Sequence, residues 1–290
     1  MDRTKALACL IALVLAACGN KPRIVVGSKN FTEQVLLGEI LAQQIERRLP
    51  VKVERKLDLG GILLTHEALV KGDIDLYPEY TGSALTAVLK QRAIKDPAEA
   101  LSAVRALYRS QWNLEWLDPL GFDNTFAIIV HGKEAREKRL VTLSDAAHAH
   151  SWRMGMGYEF AQRADGLEGL MKTYSLRPAA PPVSMDLGLL YSALQHDNVD
   201  MIAASSTDGM ISKMDVSILE DDLHYFPPYQ CAVVVREQTL ARFPQLRVAL
   251  QELSGKLTDV TMRQLNAAVD VEHRPLPKVA AEFLRTVAVR

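Results

Sequence analysis

Apolar residues follow two different periods along the first third of the chain. Residues 23–27 contain the apolar run 24–26 and residues 51–57 alternate apolar with charged side chains, and both patterns predict strands. Between them, apolar residues recur at every fourth position, as on one face of a helix: Leu37, Leu41, Ile45 and Leu49. Asn30 and Glu33 resemble a capping box at the start of this helix, and Pro50 ends it.

A second helix, opened by Gly60 and Gly61 and closed by Gly72, leads into the most informative stretch, residues 72–83. Its first half predicts a short strand, its second half predicts a turn, and the apolar run 84–89 predicts a helix. Ligands are often held by the loop that leaves a strand's carboxyl end, so Tyr77 and Tyr80 are candidate contacts. One ring packing in the core and the other covering a helix end is an equally good account.

The repeated order of strand and helix predicts an α/β fold with a mostly parallel sheet covered by helices. A buried strand at residues 125–130 predicts a first crossing into a second lobe, and a strand at residues 232–235 predicts the return. Helical patterns then continue to the end of the chain. A chain of 290 residues buries a core comfortably as two such lobes.

Residues 1–17 predict an export signal, because a short charged segment precedes the apolar run 6–17. Leu15-Ala16-Ala17-Cys18 resembles the bacterial lipobox, in which the cysteine receives a lipid. We therefore expect lipidation at Cys18, a membrane-surface anchor, and a location in the periplasm or on the outer face of the cytoplasmic membrane. The alternative is that Cys18 merely follows a plain cleavage site.

Composition and motif content give no reason to expect nucleic-acid binding, metal binding or the common enzyme classes. With Cys9 removed and Cys18 lipidated, Cys231 has no partner for a disulfide. The formal net charge of -1 gives no reason to expect nucleic acid as a partner. The seven histidines form no metal-binding pattern, and the common hydrolase, zinc-protease, Walker and dinucleotide motifs are missing. We expect no catalytic residues, no metal and no cofactor.

Six stretches, in this order, carry a resemblance that covers residues 21–290: 27–33, 72–82, 117–125, 159–166, 206–209 and 219–229. The chain resembles the substrate-binding proteins of bacterial ABC importers for quaternary-ammonium osmoprotectants such as glycine betaine, choline, carnitine and proline betaine. The resemblance implies a type II periplasmic-binding-protein fold, with two α/β lobes joined by two hinge crossings. The expected boundaries are residues 18–124 and 231–290 for lobe 1 and residues 125–230 for lobe 2. The ligand would lie between the lobes and be enclosed by hinge closure.

The resemblance also implies roles for particular residues. A trimethylammonium group is best held by aromatic faces, so Tyr80 and Tyr229 would be cage walls. The anionic end of the ligand would contact Lys29, Ser83 and Arg163, while Asn124 and Glu159 would line the cleft. Each has a competing account: Lys29 as a surface lysine, Arg163 as a helical pair with Glu159, and Tyr229 as a brace for the hinge.

The chain departs from the family where two further cage tyrosines are expected, because it has Phe126 and Ser205 there. Phe126 keeps an aromatic face, although a phenylalanine in a buried strand is most often core. Ser205 removes a ring, which costs about 1 to 2 kcal/mol unless another group fills the gap. Tyr77 and Tyr158 are candidates to replace this ring. A bulkier betaine, for which the missing ring makes room, is at least as good a candidate ligand as a small one.

The expected partners are a small quaternary amine or betaine and an ABC permease, and we expect the protein to be a monomer. Two other classes stay open. One is an enzyme on the same two-lobed scaffold, because a fold does not fix chemistry. The other is a membrane-tethered sensor that binds a solute and reports it to a partner.

Overall fold

The computed structural model describes residues 22–288. The predicted signal peptide and Cys18 lie outside the described residues. Ten strands are present in the described part of the chain: β1 (Arg23–Gly27), β2 (Lys52–Lys56), β3 (Leu76–Tyr80), β4 (Leu114–Trp116), β5 (Phe126–His131), β6 (Met154–Gly157), β7 (Val183–Met185), β8 (Met201–Ser205), β9 (Val216–Leu219) and β10 (Cys231–Arg236).

The α-helices of the same range alternate with these strands: α1 (Thr32–Arg48), α2 (Ile62–Lys71), α3 (Thr81–Ser83), α4 (Pro97–Trp112), α5 (Gly132–Lys138), α6 (Leu143–Ala149), α7 (Tyr158–Gln162), α8 (Leu167–Tyr174), α9 (Leu190–Gln195), α10 (Glu237–Arg242), α11 (Pro244–Gln251), α12 (Asp259–Asp270) and α13 (Leu276–Ala288). A π-helical turn, Ala84–Val88, continues α3, and 3₁₀ turns cover Leu187–Leu189 and Gly209–Ser212. No helix between residues 22 and 288 has the length and apolar character needed to cross a bilayer.

Two five-stranded sheets build two lobes, as predicted. The first has the order β2-β1-β3-β10-β4, with β1 parallel to β2 and β3 and with β10 antiparallel to its neighbours. The second has the equivalent order β7-β6-β8-β5-β9, and here β5 is the antiparallel strand. In both sheets the reversed strand is the one that the chain enters directly from the other lobe.

Each sheet is covered on both faces by apolar side chains. In the first lobe, one buried cluster contains Leu37, Leu41 and Ile45 of α1, and a second contains Val104 and Tyr108 of α4 on the opposite face. The second lobe has the same arrangement of two clusters. The period-four pattern of the first helix therefore predicted the buried face of α1 correctly.

The two crossings between the lobes lie side by side. Asp123 and Gln230 form an isolated antiparallel bridge, and the amide of Asn124 donates to the carbonyl of Tyr229 at 3.2 Å. This pairing brings one residue of each crossing, Asn124 and Tyr229, to the space between the lobes. Cys231, the only cysteine among the described residues, is fully buried where the second crossing ends.

Two local predictions are wrong. Strand β3 does not end before Tyr77 but continues to Tyr80. Pro78 is tolerated there because β1 pairs with β3 only at Leu76, so that residue 78 has a neighbouring strand on one side only. The capping box is also not formed, since α1 has no side-chain cap and the carboxylate of Glu33 turns into the protein.

Candidate functional site

A cavity of about 270 Å³ lies between the two lobes and reaches the crossings. Ten of the eleven ligand-contact candidates line it: Lys29, Tyr80 and Ser83 from the first lobe, Asn124 and Tyr229 from the crossings, and Phe126, Tyr158, Glu159, Arg163 and Ser205 from the second lobe. Residues that are far apart in the sequence thus meet at one space. Their contacts with a ligand remain predictions.

Tyr77 is the exception, and its prediction as a ligand contact is wrong for this structure. Successive side chains of a strand point to opposite faces, so Tyr77 and Tyr80, three residues apart, face opposite ways. Tyr77 is fully buried in the cluster beneath α4, where its hydroxyl donates to the Oε2 of Glu79 at 2.9 Å. It therefore cannot replace the missing cage ring.

Lys29 is buried and ion-paired rather than solvated. Its Nζ lies 2.5 Å from the Oε1 of Glu79, a carboxylate with no exposed surface, and 4.6 Å from the centre of the Tyr80 ring. Glu79 also accepts a hydrogen bond from the backbone amide of Tyr80 at 2.7 Å. An ammonium carries three N–H groups, so two remain for an anionic group in the cavity.

Arg163 is held in a similar way by Asp165. The guanidinium donates to both carboxylate oxygens, from Nε at 2.8 Å and from Nη2 at 2.5 Å. It also crosses to the first lobe, where it donates to Ser83 at 3.2 Å and to Thr86 at 3.1 Å. The competing account, a simple helical pair with Glu159, does not describe these contacts.

Asp165 connects this arginine to the crossing. It accepts a hydrogen bond from the hydroxyl of Tyr229 at 2.5 Å and another from Thr86 at 2.9 Å. Burial alone would raise the pKa of Asp165, but the hydrogen bonds and the charge of Arg163 hold it below its usual range. Asp165 is therefore ionised at neutral pH, and it fixes the orientations of Arg163 and Tyr229 together.

A second buried carboxylate, Glu33, holds Tyr80. Its Oε1 accepts from the Tyr80 hydroxyl at 2.6 Å and from Nδ2 of Asn124 at 2.8 Å, and its Oε2 accepts from Thr207 at 2.5 Å and from Asn266 at 3.1 Å. Burial raises the pKa of Glu33 above its ordinary value, against the opposing effect of these four donors. Because Thr207 belongs to the second lobe, this network also joins the lobes.

The aromatic side chains form a connected group on one side of the cavity. The Phe126 ring meets Phe160 edge to face at 4.7 Å and Tyr229 edge to face at 5.5 Å. The guanidinium carbon of Arg163 lies 5.3 Å from the centre of Phe126 and 5.8 Å from that of Tyr229. Phe126 thus packs against the core and also lines the cavity, while its role as a cage wall stays a prediction.

Ser205 lies directly opposite Phe126, because the two residues pair in the register of β5 and β8. A ring at position 205 would therefore stand beside Phe126 on the same sheet face. Tyr158 is 62% exposed and lines the mouth of the cavity rather than its interior. Neither position therefore supplies an aromatic wall in the interior of the cavity.

Glu159 forms a third contact between the lobes. Its Oε1 accepts from the backbone amide of Ile62, the first residue of α2, at 2.9 Å. The positive end of the helix dipole favours a carboxylate at this place. A Cβ added at Gly61 would lie 2.1 Å from the same oxygen, so the lack of a side chain there permits the contact.

Sequence reasoning missed several lining residues. Phe31 and Phe160 line the cavity, as do the apolar side chains of Ile62, Met185 and Leu187. Phe160 directly follows Glu159 and Phe31 lies two residues after Lys29, both inside the stretches that carry the family resemblance, and this proximity could have identified them. The apolar residues carried no comparable signal, because a core position has the same pattern.

The cavity combines aromatic faces with two cations, and each cation is already paired with a buried carboxylate. No group of three or more histidine, cysteine, aspartate or glutamate side chains suited to a metal ion occurs in the part of the chain described by the structure. Such a site can hold a small organic molecule that has an alkylated cationic end and an anionic end.

Two lobes with this strand order, paired crossings and a lined cavity between them define a two-lobed solute-binding protein of the type II periplasmic-binding-protein fold. Residues 22–286 match the family model for the substrate-binding domain of ABC-type glycine betaine transport systems. The chain belongs to this family and is a solute-binding protein of an ABC importer.

Three known proteins illustrate the relationship. The glycine-betaine-binding protein of Pseudomonas aeruginosa is 34% identical over 295 residues, which covers 98% of this chain and 93% of that protein. The ergothioneine transport permease/ergothioneine binding protein EgtU of Helicobacter pylori is 33% identical over 276 residues, and this chain spans only 49% of its length. The crystal structure of a glycine betaine/carnitine/choline ABC transporter superposes with a TM-score of 0.78 at 31% identity, over 91% of this chain and 98% of that one.

Proposed function

We propose that the chain is an exported, lipid-anchored solute-binding protein that captures a quaternary-ammonium osmoprotectant or a related betaine and delivers it to an ABC permease. The observation that carries this proposal is the meeting of Tyr80, Phe126 and Tyr229 at a cavity that also contains Lys29 and Arg163. Those rings come from the first lobe, the second lobe and a crossing, so a ligand that contacts all of them bridges the lobes.

The chemistry of the cavity favours a dipolar ligand. A quaternary ammonium group donates no hydrogen bond and prefers aromatic faces, each of which contributes roughly 0.5 to 2 kcal/mol. Lys29 and Arg163 retain unused N–H groups that can donate to a carboxylate at the anionic end of the ligand. Because their charges are already balanced by Glu79 and Asp165, the cavity itself supplies little net positive charge that would repel a cation.

Ser205 stands where the family resemblance implies a cage ring, and the missing ring leaves room for a larger ligand. A bulkier betaine is therefore at least as good a candidate as a small one. The relatives include proteins named for glycine betaine and for ergothioneine, which differ greatly in size. We therefore propose the chemical class of ligand and leave its size to experiment. No covalent step is proposed, since the cavity presents no nucleophile activated by a neighbouring base.

Isothermal titration calorimetry with glycine betaine, choline, carnitine, proline betaine and ergothioneine tests the proposal directly. We expect at least one of them to bind at millimolar concentration or below. If none bound at millimolar concentration, the proposed ligand class would be wrong. Conversion of any of them in the absence of a permease would favour the enzyme alternative, and neighbouring transporter genes would argue against the sensor alternative.

The anchor has a separate test. We expect a Cys18→Ser variant, expressed with its signal segment, to be released into the soluble extracytoplasmic fraction, whereas the unchanged protein sediments with membranes. Metabolic labelling with a radioactive fatty acid should mark only the unchanged protein. Equal membrane association of both proteins, without label in either, would remove the lipid anchor from the proposal.

A further inference from the structure

Tyr80 and Tyr229 share an arrangement that their positions in the chain do not reveal. The ring of each lines the cavity, while its hydroxyl donates to a buried carboxylate that does not line it. Tyr80 donates to Glu33 at 2.6 Å, and Tyr229 donates to Asp165 at 2.5 Å. Tyr80 belongs to β3 and Tyr229 to the second crossing, yet the hydroxyl of each donates to a buried carboxylate.

A phenol that donates to a carboxylate gains electron density, because hydrogen-bonded groups polarise one another, and more so in a low-dielectric interior. The face of an aromatic ring is already negative, and it attracts cations for that reason. Behind Tyr80, the buried charge of Glu33 adds its own attraction, which solvent and salt screen only weakly. Behind Tyr229, the charge of Asp165 is balanced by Arg163, so the polarisation of the phenol is the main effect. Both effects act on a charged ligand and leave a neutral ligand of the same shape almost unaffected.

We propose that Glu33 and Asp165 are specificity-determining residues, which act through the rings of Tyr80 and Tyr229 to make the cavity prefer a quaternary cation over an uncharged group of equal size. They are positioning and polarising residues rather than ligand contacts. This inference rests on the proposed function, because it assumes that these two rings hold the cationic end of the ligand.

Glu33 gives the cleaner test of the two. Its four hydrogen-bond donors are Tyr80, Asn124, Thr207 and Asn266, all of which are uncharged. Each of its two oxygens accepts from one amide NH2 and one hydroxyl, which is the pattern of an ionised carboxylate. Asp165, in contrast, is paired with Arg163, so that its removal would also leave an uncompensated cation beside the cavity. The variant Glu33→Gln keeps the size and an acceptor oxygen while it removes the charge.

Two ligand pairs separate charge from shape: glycine betaine with 3,3-dimethylbutanoate, and choline with 3,3-dimethylbutanol, where carbon replaces the quaternary nitrogen. For Glu33→Gln we expect the affinity for the cationic member to fall by about three- to thirtyfold. The affinity for uncharged 3,3-dimethylbutanol, measured by ligand-observed NMR where calorimetry is too insensitive, should change by less than about twofold. The affinity for 3,3-dimethylbutanoate, an anion that the charge of Glu33 repels, should not fall. Weakened lobe closure through Thr207 and Asn266 would instead reduce both affinities equally.

A double-mutant cycle adds a test of the route. Tyr80→Phe keeps the ring and removes the hydroxyl that links it to Glu33, so Glu33→Gln should cost clearly less in that background. Equal losses for both members of a pair, no loss for either, or losses that add across the cycle would each overturn the inference. A wild-type protein that bound none of the four probes nor any ligand of the calorimetric panel would instead refute the proposed function itself.

Discussion

The contact between Glu159 and the start of α2 can be tested by adding one methyl group. In the variant Gly61→Ala, the new Cβ would lie 2.1 Å from the Oε1 of Glu159, so the carboxylate has to leave the amide of Ile62. Gly61 has φ of -74° and ψ of -173°, an extended conformation that alanine adopts readily. The first lobe should therefore fold as well as before, and the change should act only where the lobes meet.

The expected magnitude follows from the lost hydrogen bond. A hydrogen bond to a charged group contributes about 1.5 to 3 kcal/mol when it is buried, and the exposure of Glu159 reduces this to about 1 kcal/mol. Because Oε1 is the end of a flexible side chain, it can turn away, and steric exclusion adds little. A loss of about 1 kcal/mol in the ligand-bound, closed state corresponds to roughly a fivefold weaker affinity.

Calorimetry with the tightest ligand of the panel measures this loss, and thermal unfolding of the ligand-free protein provides the control. Glu159→Ala removes the same bond from the other lobe, so Gly61→Ala should cost no further affinity in that background. An unchanged affinity, or a fall in the Tm of the ligand-free protein that accounts for the whole effect, would refute the assignment of this contact to lobe closure.

Three further predictions concern single residues. Ser205→Tyr should tighten small trimethylammonium ligands by roughly five- to thirtyfold in calorimetry, and a loss of binding would mean that the pocket has been rebuilt for another shape. Tyr77→Phe should lower the free energy of unfolding in urea by about 1 kcal/mol and leave affinity unchanged, since a loss of affinity would contradict its place in the core. Burial raises the pKa of Asp208 to about 7, so its protonated form is favoured in the folded protein and stability is lost as pH rises from about 4 to about 7. Asp208→Asn should make the Tm less dependent on pH over that range, and an unchanged profile would contradict this origin.

The fold was predictable from the sequence because its signals are periodic and local. The period-four apolar positions of α1, the glycines that flank α2 and the apolar strands that enter each lobe all carry such signals. These local signals failed to predict the extent of β3, the strand that bears Tyr77 and Tyr80. Pro78 indicated a turn, but whether a proline ends a strand depends on which neighbouring strands pair beside it, and this is a property of the sheet.

For the candidate site, the sequence predicted mainly which residues line a common cavity. What the sequence could not supply is which charges are buried. Glu33 resembled half of a capping box, yet it is the centre of a network that joins the lobes. Glu79 and Asp165 looked like ordinary acids, since burial arises from long-range packing and leaves no periodic mark. The ligand contacts of the cavity residues remain predictions.

The complete burial of Cys231 makes this protein convenient for optical measurements. Among residues 22–288, no other thiol is present that could react with a dye. A cysteine introduced at Leu64, which is 63% exposed on the first lobe, or at Leu187, which is 48% exposed on the second, would therefore be labelled selectively. If ligand binding closes the lobes as proposed, a fluorophore at either position would report the change, so the same chain could be converted into a reagentless biosensor for its solute.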